Sequence, residues 1–208
     1  IIDHIASKGK PVLLATGASS LPDVDRAMKV ILKRKNPVVL MQCNTNYTAA
    51  HENFEHINLN VLKTFSKQYP EAVIGLSDHT HGCATVLGSV ALGAKVIEKH
   101  FTLDRKFKGP DHKASLIPSE LINMVNSIRN IEKALGSPKK IVTKSELKTL
   151  KAARKSIVAI KNIKKNENFN KNNIGIKRPG TGLSAKEFDH VIGKKAKKFF
   201  KINQLIKI

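Results

Sequence analysis

The sequence predicts an α/β chain: four of the eight strand–helix units of a (β/α)8 barrel, followed by a small, irregular C-terminal module. Three observations carry this. Strand-length apolar runs alternate with helix-length amphipathic stretches up to about residue 140. Polar, ligand-type side chains stand at the C-terminal ends of successive strands. Beyond Ser156 the apolar runs shorten and are parted by Asn-, Lys- and Gly-rich turns.

PVLLATG (11–17) is an apolar run closed by glycine and reads as a buried strand. SSLPDVDRAMKVILKRK (19–35) carries apolar residues at helical spacing, with Ser20 as its cap and Asn36-Pro37 as its stop. PVVLMQCN (37–44) is the second strand, and LNVLKTFSKQY (59–69) a helix ended by Pro70. AVIGLSD (72–78) is the third strand, CATVLGSVALGA (83–94) a helix and KVIEKHF (95–101) the fourth strand. PSELINMVNSIRNIEKALG (118–136) is a helix with Pro118 at its start and Gly136 at its end. Residues 141–155 read as a helical or mixed linker, and 156–208 as a compact module with too little apolar material for a large core.

Continuous apolar strands alternating with helices mean a parallel sheet. An open, doubly wound sheet would gather its site at one switch point. Here Thr16, Asn44 and Thr45, Ser77 and His79, and Glu98 and His100 stand at the ends of four different strands, as the rim of a barrel requires. No G-x-G-x-x-G follows the first strand, which removes the usual dinucleotide reading.

Composition excludes several classes. The formal charge of +21 invites a nucleic-acid reading, but 31 of the 37 basic residues are lysine and the chain has no tryptophan. Base readout and phosphate clamping favour arginine, and single-strand binding favours aromatic platforms. The lysines read instead as a solvated surface with non-specific attraction for polyanions and no specific nucleic-acid partner. The longest apolar stretch, around ATVLGSVALGA, is too short to cross a bilayer, so no membrane partner is expected. Cys43 and Cys83 form no disulfide framework, which makes a reducing cytoplasm the default.

Side chains two apart on a strand share a face. Glu98 and His100 therefore point the same way, as do Ser77 and His79, with Asp78 opposite and Lys99 turned toward the helices or solvent. On neighbouring strands, His79 and His100 converge in the barrel mouth beside one carboxylate. Two imidazoles suit a divalent first-row metal and leave positions open for water and substrate.

IGLSDHT (74–80), VIEKHFTLDR (96–105), KGPDHKAS (108–115) and IKRPGTG (176–182), in that order, resemble the sialic acid synthase family, the N-acetylneuraminate synthases and their legionaminate and pseudaminate relatives. The resemblance runs from KPVLLATGASS almost to the C-terminus. It implies the C-terminal half of a synthase barrel over 1–140 and an antifreeze-like (SAF) domain over 156–208. It also implies condensation of phosphoenolpyruvate with an N-acetylated amino sugar such as N-acetylmannosamine, releasing phosphate. The expected cofactor is a divalent metal, manganese with magnesium or cobalt as alternatives. By the same resemblance His79 and His100 bind the metal, Ser77 contacts the phosphate, and Glu98 and Asp111 are the acids near the sugar and the reacting carbons. Tyr47 belongs to the sugar site, and Arg178 reaches the N-acyl group in a homodimer whose SAF domain caps the partner barrel.

Two departures bear on substrate preference. Ala15 stands where many members carry serine, and Cys43-Asn44-Thr45-Asn46-Tyr47-Thr48 replaces a Cys-Thr-Asn-x-Tyr-Pro pattern. Thr45 thus takes the place of a phosphate-contacting amide. The early-barrel lysines that the family uses for phosphoenolpyruvate are not in this chain, so on its own it is expected to be an inactive fragment. A non-catalytic sugar-binding or assembly module and a metal-dependent aldolase on the same fold are the alternatives.

Overall fold

A computed structural model of the chain describes residues 1–47 and 51–208. They divide into two compact units, Ile1–Ser137 and Pro138–Ile208.

The first unit opens with a short helix, α1 (Ile2–Ala6), and then alternates: β1 (Val12–Ala15), α2 (Leu21–Lys33), β2 (Val38–Cys43), α3 (Val61–Gln68), β3 (Val73–Asp78), α4 (Ala84–Ala91), β4 (Val96–Lys99) and α5 (Pro118–Leu135). A 3₁₀ segment at His51–His56, not expected from the sequence, lies between β2 and α3. Local chemistry explains the ends. Ser20 caps α2, and its N–H donates to the Asp23 carboxylate at 2.9 Å. Gly136 follows α5 with φ at 48°, where glycine is unstrained.

The four strands are parallel and lie in the order β1-β2-β3-β4. An unreversed order has no switch point. The register aligns Val12 with Val38, Leu40 with Ile74 and Leu76 with Ile97, so these residues share one face. Against that face pack Val24, Met28 and Ile31 of α2, Leu62 and Phe65 of α3, Val86 of α4 and Met124 of α5. Each fully buried aliphatic side chain there contributes roughly 1.5–3 kcal/mol. Among the described residues helices thus cover one face of the sheet only, which makes it a half-barrel and not a doubly wound layer.

The other face carries Met41, Gly75 and Val96 in one row and Cys43, Ser77 and Glu98 in the next. At position 75 a Cβ would lie 2.7 Å from the Met41 side chain and 2.8 Å from the Val96 carbonyl oxygen, so only glycine fits that row. Leu13 and Val73, lower on this face, are 56% and 44% exposed. Among the described residues no helix is long and apolar enough to cross a membrane.

The second unit starts with a 3₁₀ turn at Lys144–Glu146 and α6 (Leu147–Ala153), the segment that reads from sequence as a linker. β5 (Ser156–Ala159) pairs antiparallel with β6 (Ile174–Lys177), and a short α7 (Phe188–Val191) follows. A small core of Ile157, Ile163, Phe169, Ile174, Phe200 and Ile206 holds these together. Asn166 and Asn203 take positive φ values of 70° and 66°, a conformation asparagine tolerates better than most residues. The asparagine-rich turns are therefore structural.

Candidate active site

His79 and His100 each stand one residue beyond a strand end, His79 after β3 and His100 after β4. Their ring centroids are 5.0 Å apart with the planes at 80°. Tyr47, on the loop after β2, lies against both, at 4.3 Å from the His79 ring and 5.5 Å from the His100 ring. Asp111 completes the group, its Oδ2 3.9 Å from His100 Nδ1, close enough for charge but too long for a hydrogen bond.

The backbone orients the His79 ring and fixes the main chain at His100. Nδ1 of His79 donates to the carbonyl of Asn44 at 2.8 Å, which leaves the lone pair on Nε2. His100 is held through its own carbonyl, which accepts from the N–H of Leu116 at 2.9 Å where the chain returns beside β4. Neither restraint depends on a side chain that a neighbouring substitution could remove.

Glu98 sits one row below the histidines, and Ser77 Oγ donates to its Oε1 at 2.7 Å. A carboxylate with one oxygen engaged and the other open can still take a proton. Cys43 shares that row. Burial pushes its thiol up from its usual range, and the nearby Glu98 carboxylate adds to the shift. The Cys43 sulfur, 4.0 Å from His79 Nδ1, is therefore a weak packing neighbour and no thiolate.

Two further expected residues are described by their own contacts. Thr45 lines a separate cavity of about 490 Å3 with Thr16, Asn44, His56 and Phe65. Its methyl also fills the space above Gly17. Arg178 belongs to the second unit, where its Nε donates to the Ala153 carbonyl at 3.2 Å ahead of a cis Arg178–Pro179 bond. Thr48 lies outside the described residues.

Sequence reasoning missed the support behind the histidines. Lys99 does turn toward the helices, but it is buried: Nζ lies 2.6 Å from Asp78 Oδ2, with the side chains 4% and 0% exposed. Asp78 also accepts from the hydroxyls of Thr80 at 3.0 Å and Thr85 at 2.9 Å. The signal was a lysine and an aspartate adjacent to the two histidines and aligned with each other across β3 and β4.

The donor chemistry suits a divalent ion, with two imidazoles on successive strand ends and one held with its outer nitrogen free. His79 and His100 would hold such an ion and would leave positions open for water and substrate.

Comparison with known proteins agrees with this architecture. Residues 1–140 match the NeuB family and residues 154–208 the SAF domain. The chain is 42% identical, over 99% of its length and 61% of the relative's, to an N,N'-diacetyllegionaminic acid synthase of Campylobacter jejuni. It is 40% identical over 76% of its length to the human N-acetylneuraminate-9-phosphate synthase, of which it covers 43%. Among solved structures, a Leptospira borgpetersenii N-acetylneuraminic acid synthetase in complex with citrate superposes with a TM-score of 0.64 at 34% identity, covering 72% of this chain and 51% of that one. The Bacillus subtilis spore coat polysaccharide biosynthesis protein SpsE gives 0.58 at 32%, over 99% and 62%. The chain thus spans less than two thirds of the length of these relatives. With two motif-bearing strand ends, a half-barrel and a separate small unit matching in sequence order, the chain belongs to the NeuB family of sialic and related nonulosonic acid synthases.

Proposed function

We propose that this chain supplies the metal-binding rim and SAF domain of an enzyme that joins phosphoenolpyruvate to an N-acetylated amino sugar and releases phosphate. The observation that carries the reading is the pair His79 and His100, 5.0 Å apart at successive strand ends beside Tyr47 and Asp111. In the reaction C3 of phosphoenolpyruvate bonds to the aldehyde carbon, water adds at C2, and the C2–O bond to phosphate breaks.

Each residue has a task the geometry permits. His79 and His100 hold a divalent ion, with manganese the first choice, which when bound supplies a Lewis acid for the aldehyde oxygen. Tyr47 lies against both rings and can pack on a pyranose or open-chain sugar. The Ser77 hydroxyl can turn from Glu98 to a phosphate oxygen, and Glu98 can then take a proton from the attacking water. Asp111, 56% exposed, is free to accept from sugar hydroxyls. In this reading the protein works as a homodimer in which the SAF domain caps the partner barrel and Arg178 clamps the N-acyl group of the sugar.

The test is an assay of the complete polypeptide with manganese, phosphoenolpyruvate and a panel of N-acetylated hexoses, reading phosphate release and product mass. Adduct formation with at least one sugar is expected, and none with any would overturn the reading. In the same assay Arg178→Ala should raise KM for the sugar about tenfold or more and leave KM for phosphoenolpyruvate within twofold. Arg178→Lys should rescue poorly, because the planar fork is lost. An equal loss for both substrates would point to displacement of the SAF domain instead.

A further inference from the structure

We infer that His112 is a further sugar-contacting residue, held as a hydrogen-bond acceptor for one substrate hydroxyl; the inference rests on the synthase reading above. It starts from a loop. Residues 102–115 form a closed excursion, pinned where Thr102 N–H donates to the Leu116 carbonyl and Leu116 N–H donates to the His100 carbonyl, both at 2.9 Å. Inside the loop Arg105 Nε donates to the Ser115 carbonyl at 3.0 Å, and Ser115 Oγ to the Asp111 carbonyl at 2.7 Å. This is a built element that carries Asp111 and His112 back to His100. The three line one cavity of about 350 Å3.

The tautomer of His112 follows from counting protons. Nδ1 of His112 is 2.7 Å from Thr102 Oγ1, and the same hydroxyl contacts the Asp104 carbonyl at 3.0 Å. A hydroxyl has one proton. With that proton donated to the carbonyl, which can only accept, the shorter contact requires Nδ1–H as donor. The neutral ring therefore carries its lone pair on Nε2. The ring is fixed further by Phe107, edge-on at 5.5 Å and 89°. Gly109, with φ at 147°, also lies against it, where a Cβ would come within 3.0 Å of the ring. Thr102 is buried, so the relay is shielded from water.

A fixed imidazole with an acceptor nitrogen, beside the Asp111 carboxylate in one cavity, suits a ligand rich in hydroxyl donors. A sugar is that class. Phosphate and carboxylate groups, which carry no such donors when ionised, are disfavoured there. Sequence alone made His112 one letter of a motif; the hydrogen-bond relay gives it a task.

Amide substitution separates this role from a merely structural one. Glutamine places an acceptor near the Nε2 position and asparagine a donor near Nδ1. His112→Ala should lower kcat/KM for N-acetylmannosamine about tenfold, the scale of one hydrogen bond, with KM for phosphoenolpyruvate unchanged. His112→Gln should recover most of that loss and His112→Asn none. Recovery by asparagine and not by glutamine would assign the ring to holding the loop and overturn the proposal. Against a set of monodeoxy sugars, one deoxy position should cost the wild type about as much as His112→Ala and cost the variant nothing further. Fully additive penalties would also overturn it. Nitrogen-15 NMR of the ring gives a readout without turnover: adding N-acetylmannosamine should shift Nε2 and leave Nδ1 in place. If the protein turned over no sugar, the synthase reading would fall while this shift still decided for or against the His112 contact.

Discussion

Replacing either His79 or His100 with alanine is expected to abolish turnover, by roughly 10³-fold or more, and to weaken manganese binding while the fold stays intact. That scale follows from losing a ligand to a Lewis acid that contributes several kcal/mol of charge stabilisation. The fold should survive because neither ring belongs to the three apolar clusters that hold the units together. The two losses should also differ in kind. His79 donates Nδ1–H to a backbone carbonyl, so its removal frees the Asn44 carbonyl as well as a ligand position. Among the described residues the His100 ring makes no such bond and has only the long approach to Asp111 at 3.9 Å. Electron paramagnetic resonance titration of manganese into each variant, with thermal melting as the control for folding, reads both effects. Unchanged metal affinity and rate in both variants would remove the histidines from the site.

Much of this was legible in the sequence because the signals were local. The four strands and their helices follow from apolar runs and from punctuation by Asn36-Pro37, Pro70, Pro118 and Gly136, and the observed elements start and stop within about two residues of those marks. Period two on a strand placed His79 with Ser77 and His100 with Glu98, and the register keeps Ser77 beside Glu98. What was not legible depends on contacts distant in the chain. The alternation said that Lys99 faces away from the barrel interior, but not that Asp78, 21 residues earlier, would bury against it. The packing of the Thr45 methyl over Gly17, 28 residues earlier, is also a contact that no spacing encodes. The tautomers of His79 and His112 likewise need the carbonyls and hydroxyls that the fold brings to them.

Lys99→Met is expected to destabilise the fold by about 3–5 kcal/mol, because it leaves the Asp78 carboxylate buried without its cation. Asp78 has nowhere else to go. Its side chain is fully buried, and its remaining partners are neutral: the hydroxyls of Thr80 and Thr85 at 2.9–3.1 Å and the Thr80 N–H at 3.2 Å. Asp78→Leu should cost a similar amount by stranding the Lys99 ammonium with the Thr80 carbonyl alone. Removing both charges behaves differently: buried ion pairs exchanged for apolar groups of similar volume are often neutral or stabilising by about 1–4 kcal/mol. The double variant Asp78→Leu/Lys99→Met should therefore recover most of the stability, helped by Thr80 and Thr85, whose hydroxyls lie 2.8 Å apart and can bond each other once the carboxylate that takes both their protons is gone. Urea melts of the two single variants and the double close a mutant cycle whose coupling term isolates the pair. Single-variant losses below about 1 kcal/mol would mean that the pair is not a buried, mutually dependent unit. Recovery of the fold need not restore the site. Asp78 and Lys99 are aligned across β3 and β4 one residue before His79 and His100, so their bond draws the two strand ends together on the face opposite the imidazoles. A double variant that melts like the wild type yet binds manganese more weakly is the expected result, since apolar packing can fill the space but cannot fix the spacing of two strand ends as a 2.6 Å ionic contact does.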